Sequence, residues 1–122
     1  MQNTIFILTY VKAFDIIKVD KEKDMCWTVT FSKEVKKEYK KLERSGSKKP
    51  SIIDIIDLLA LDLQKNGPNL HSWPHYAHLS KDHFHCHLRK GHPTYVACWK
   101  ILDKQMKQIE VYYVGSHENA PY

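Results

Sequence analysis

At 122 residues, 43% hydrophobic and 27% charged, the chain has the length and composition of one globular domain and leaves no room for two. Three cysteines without a Cys-x-x-Cys pair exclude a disulfide framework and point to a reducing, cytosolic setting. No repeat of roughly 20–50 residues and no sustained heptad is present, which excludes solenoids, collagen and coiled coils. The net charge of +5 sits in one stretch. Lys33–Lys49 holds eight cations against three glutamates, while the rest of the chain balances at eleven of each sign. A positive charge so confined is either an electrostatic footprint for a polyanion or a solvated helix face.

In chain order, the first charge-free apolar run, Asn3–Val11, stops at Lys12, well short of the ~20 residues of a membrane span. It also lacks the basic n-region and small-residue cleavage site of a signal peptide, so the cytoplasm is the expected location. Residues 1–24 open with a β-like run, Ile5–Leu8, and end in the charged stretch Lys18–Asp24. Met25 then begins what reads as the start of a domain. Residues 1–24 are therefore expected to be an accessory extension or an over-long gene start, the alternative being an extra element packed on a domain of residues 25–122.

Cys26–Phe31 is a β-branched and aromatic run, hence a strand. Ser32 stands as an N-cap before a helix through about Arg44, with Gly46 beyond its end. Its apolar stripe is thin (Val35, Tyr39, Leu42), leaving Lys33, Lys36, Lys37, Lys40 and Lys41 to face water or a ligand. After Lys49-Pro50, Ser51 and Asp54 form a capping-box-like start to a second helix, 52–65, which Gly67-Pro68 stops. That helix is apolar nearly all round, enough for a core face and for a surplus inviting a protein partner. From Trp73 on, the pattern is strands and tight turns: Trp73–Leu79, His83–Arg89, Thr94–Leu102 and Gln108–Gly115. The expected class is α+β, a helical hairpin packed on a mostly antiparallel sheet of four to five strands.

Seven of the eight histidines lie between His71 and His92, and the eighth is His117. In the strand His83–Arg89, alternation puts Phe84, Cys86 and Leu88 on a core face and His83, His85, His87 and Arg89 on the other. Three imidazoles and a guanidinium, flanked by Lys81 and Lys90, suit binding phosphate and moving protons. Two other assignments stay open for this row. One is a zinc site completed by His75 or His78, disfavoured by the lack of an acidic residue and by Arg89. The other is a solvent-facing polar strand with no chemistry.

From Met25 onward the chain resembles the RelE/ParE superfamily of bacterial type II toxins, closest to the RelE/HigB/YoeB ribonuclease branch. Leu79-Ser80 stands where that family has its Leu-x-Gly or Leu-Ser-Gly step. His87-Leu88-Arg89-Lys90-Gly91 is similar to the family's Arg-Leu-Arg-x-Gly, which places Arg89 on its phosphate-binding arginine. Tyr95–Ile101 resembles the next strand, and Val114-Gly115 with His117 and Tyr122 resembles the C-terminal Gly-His-Arg-x-x-x-Tyr. The chain departs from these patterns at His87, at an inserted Ser116 and at Glu118.

The resemblance implies a toxin that stops translation by cutting mRNA, usually at the ribosome, without metal or cofactor and by attack of the 2′-hydroxyl. Arg89 and Lys81 are then candidates for the phosphate, His85, His87 and His117 for base and acid, and Tyr122 for stacking on a nucleobase. Lys33, Lys36, Lys37, Lys40, Lys41, Lys81 and Lys90 are candidates for gripping RNA phosphates. An acidic antitoxin with a DNA-binding part is the implied partner. The alternatives are a ParE-like gyrase poison without nuclease activity and a non-catalytic RNA- or metal-binding module.

Overall fold

A computed structural model describes residues 26–45, 51–91 and 93–122. The expected extension, residues 1–24, lies outside the described residues. Among the described residues, two helices and five strands follow in the order β1 (Thr28–Phe31), α1 (Lys33–Ser45), α2 (Ile52–Asn66), β2 (Ala77–Ser80), β3 (His83–Arg89), β4 (Tyr95–Asp103) and β5 (Gln108–Ser116). A single 3-10 turn, His117–Asn119, comes after β5. None of the described helices is long and apolar enough to cross a membrane.

Both helices start where their caps dictate. The Ser32 hydroxyl accepts from the Val35 amide at 3.2 Å and opens α1. Ser51 and Asp54 exchange reciprocal side-chain bonds at 3.1 and 3.2 Å, satisfying two backbone donors at the start of α2. At the far end of α2, Gly67 has φ 81° and returns its N–H to the Leu63 carbonyl at 2.8 Å. A side chain there would meet the Trp27 indole at 2.9 Å, so both the backbone and the space ask for glycine.

The strands form one sheet in the order β1-β5-β4-β3-β2. The pairings β2–β3, β3–β4 and β4–β5 are antiparallel, as a meander of hairpins requires. The β1–β5 pair is parallel, so the sheet is mixed. The class is α+β, with both helices contributing to one core. Val35 from α1 and Ile52, Ile56, Leu59 and Leu63 from α2 pack with Phe84, Cys86, Ala97, Trp99, Ile109 and Val111 of the sheet. The apolar surplus expected of α2 comes down to Leu58, 57% exposed, beside half-buried Ile53 and Leu61.

The strand expected at Trp73–Leu79 begins only at Ala77. Residues 67–76 form a loop pinned to its surroundings. Trp73 Nε1 donates to Asp62 at 2.7 Å, Trp99 Nε1 donates to the Pro68 carbonyl at 3.0 Å, and the His87 amide donates to the Pro74 carbonyl at 2.8 Å. This loop therefore crosses the end of β2 and reaches β3, carrying its own side chains to the sheet.

Candidate active site

The two faces of β3 separate as alternation requires. Phe84, Cys86 and Leu88 are buried in the core on the helix side. His85 and His87 project from the opposite side, paired across the ladder with Cys98 and Val96 of β4. Val96 and Cys98 are fully buried yet stand apart from the main core cluster, because they floor this second face.

On that floor four imidazoles and a phenol converge. His87 stacks on His75 with ring centroids 4.2 Å apart and an interplanar angle of 29°. His117 meets His87 at 5.3 Å and 68°, and His85 lies 6.4 Å from His87. The Tyr122 ring covers His85 at 4.4 Å and lies 6.1 Å from His117. The C-terminal segment delivers the last two side chains. It is hinged where the His117 amide donates to the Thr94 carbonyl at 2.8 Å, and closed by a turn from Ala120 N–H to the His117 carbonyl.

This cover has electrostatic consequences. His85 is only 9% exposed, and its Nδ1 is buried without a hydrogen-bond partner. Burial, and then the neighbouring His117 and His75, hold its pKa below the ordinary imidazole value. His87 is lowered in the same way, by burial first and then by His75, His117 and His85. Both rings are therefore neutral at pH 7, each with a lone pair to accept a proton. No carboxylate is among the groups acting on either ring. Among the described residues, no group of three or more His, Cys, Asp or Glu side chains is arranged to hold a metal ion.

Neighbouring groups are less suited to chemistry. Burial pushes the Cys98 thiol up to about 12, and Tyr112, hydrogen-bonded to it, is likewise raised to about 12, so neither is a nucleophile at neutral pH. His83 lies further along β3, where its Nδ1 sits 3.2 Å from the Ser80 hydroxyl and its ring meets Tyr112 edge-on at 5.6 Å.

Of the residues singled out in the sequence, His85, His87, His117 and Tyr122 come together here. Arg89 does not share their row, and simple alternation fails at this point. The β3–β4 ladder takes in one extra residue, with His87 opposite Val96 but Arg89 opposite Tyr95. A bulge of this kind shifts the residues beyond it by one position and turns Arg89 to the other face. Its guanidinium lies 5.8 Å from the centre of the Tyr95 ring, which packs against the main core. Lys90 is exposed beyond the strand, and Lys81 is exposed in the β2–β3 turn, where His78 Nε2 contacts its carbonyl at 2.9 Å. Lys33, Lys36, Lys37, Lys40 and Lys41 are exposed along α1, whose Val35 packs on the helix side of the sheet. These cations thus line the helix side and the strand ends, whereas Lys100, opposite His83 on β4 and 3.7 Å from Glu110, stands on the imidazole face.

The sequence reasoning left His75 out of the acid–base set. The only local signal was its place in the histidine-rich stretch, next to Pro74.

No protein-family model, curated protein or solved structure matches the chain.

Proposed function

We propose that the chain is the toxin of a type II toxin–antitoxin pair, a RelE-like endoribonuclease that stops translation by cutting mRNA at the ribosome. The observation that carries the proposal is the cluster of His75, His85, His87 and His117, closely set around two neutral rings and free of carboxylates. A helical hairpin on a largely antiparallel sheet supports the same assignment.

In such a site the chemistry needs no metal. An imidazole, His87 or His85, takes the proton of the RNA 2′-hydroxyl as O2′ bonds to the adjacent phosphorus. The P–O5′ bond breaks, and a second imidazole, His117, protonates the departing O5′. The products are a 2′,3′-cyclic phosphate and a 5′-hydroxyl. Imidazoles that become cationic beside the phosphate oxygens stabilise the crowded transition state. Tyr122, half exposed over His85, offers a face for a nucleobase. Arg89 and Lys90 would hold flanking phosphates, and the α1 lysines would grip ribosomal RNA without reading its sequence. An acidic antitoxin with a DNA-binding part is the partner that such a basic surface fits.

The test is induction of the chain in bacteria, with 5′ ends of mRNA mapped by primer extension. New cuts that vanish in His87→Ala are expected. Growth arrest with intact mRNA and a DNA-damage response would instead make the chain a gyrase poison.

A further inference from the structure

The loop between α2 and β2 holds one of its side chains in an uncommon backbone conformation, and that side chain reaches the site. His75 has φ 54°, a left-handed geometry that costs a residue with a Cβ energy unless its surroundings fix it. Those surroundings are visible. The preceding carbonyl, of Pro74, accepts from the His87 amide at 2.8 Å, so the loop is locked to the very residue its next side chain covers. The His75 ring then lies on the His87 ring at 4.2 Å.

We propose that His75 is a positioning residue of the site, a platform that fixes the plane of the His87 ring and keeps that ring in its proton-accepting form. The role deepens the ribonuclease assignment and rests on it for its consequence in catalysis. Stacking leaves His87 few ring orientations, among them the 68° setting against His117 seen here. The charge argument runs the same way. The titratable groups acting on His87 are His75 from the loop, His117 from the C-terminal segment and His85 from its own strand. Opposite it on β4 stands apolar Val96. A proton on His87 would therefore meet no carboxylate, and His75, in ring contact, opposes it more than His117 or His85 does.

The test is an NMR titration of the free full-length chain with labelled histidine, comparing the wild type with His75→Phe and His75→Asn. Phenylalanine keeps a ring on His87 and removes the titratable nitrogens. Asparagine suits the left-handed backbone and removes both. The His87 midpoint is expected to rise in both variants, and its ring-current shift to survive in His75→Phe but disappear in His75→Asn. The acid limb of the cleavage rate should move upward with the midpoint. An unmoved His87 midpoint in a folded variant overturns the proposal, and should His75→Phe fail to fold, His75→Asn decides. A raised midpoint in a protein that cuts no RNA would keep the positioning role and discard the ribonuclease. Cleavage with an unmoved midpoint would do the reverse.

Discussion

The two faces of β3 are built from neighbouring residues and solve opposite problems. On the helix side, Phe84 stacks 6.1 Å from Trp99 and is 2% exposed, and no polar side-chain atom has to be satisfied among Phe84, Cys86 and Leu88. On the open side, His85 is nearly as hidden, yet one of its ring nitrogens has no partner. Burial stabilises the first face because apolar area leaves water. On the second, burial without a partner costs free energy and shifts protonation. A strand under selection for stability alone would pair or remove such a group. In the proposed site such a nitrogen is an open acceptor for a proton.

The sharpest way to break this contrast is to truncate one residue on each face. Phe84→Ala is expected to cost about 3–5 kcal/mol of stability, a cavity penalty visible in denaturant melts. His87→Ala should leave the melting curve close to wild type and cut the cleavage rate by about 10²–10⁴, the usual contribution of a general acid or base. Equal loss of stability in both variants would erase the distinction.

A smaller effect is expected at Arg89, which the bulge turns away from the imidazoles. Arg89→Ala should lower the cleavage rate less than about tenfold and flatten the salt dependence of RNA binding by roughly one phosphate contact, measured as binding against salt concentration. A loss as large as that of His87→Ala would return the guanidinium to the reacting phosphate.

The smallest effect concerns pH. His85 and His87 have lowered pKa values in the folded chain, so between those values and the unfolded ~6.5 the unfolded state binds more protons. The stability these two rings allow is complete above that unfolded value and is lost as pH falls toward the folded values. Urea midpoints should therefore decline from pH 7.5 to pH 5.5, and His85→Phe should flatten the decline.

Local chemistry made much of this legible in advance. Ser51, Asp54 and Gly67 mark both ends of α2, and Ser32 marks the start of α1, because caps act within one helical turn. The alternation Phe84, Cys86, Leu88 against His83, His85, His87 separates the faces of β3, because a period of two is a property of the strand alone. The bulge beyond His87 was not legible, since nothing in His-Leu-Arg signals an unpaired residue and the extra position is set by how β3 meets β4. Nor was the place of His75. Its left-handed backbone carries no glycine to announce it, and its partner is twelve residues away on another element. The strand expected from Trp73 failed for the same reason, as the left-handed backbone at His75 interrupts it before Ala77. Parallel pairing of β1 with β5 is likewise a tertiary choice that neither segment encodes by itself.

That last pairing also sets the order in which the molecule can assemble. Strands β2 to β5 follow one another through short turns, so each pairing closes a small loop at little entropic cost. Thr28 must find Gln108 and Ser32 must reach Tyr112, partners 80 positions apart. Contacts this remote form late and slow the whole reaction. The first described strand of the chain is thus expected to join the sheet last, together with α1, tethered to it through Ser32. The β2–β5 meander is then expected to be formed in the folding transition state and β1 to be unpaired in it. Shortening Val29 to alanine should quicken unfolding while leaving the refolding rate nearly unchanged.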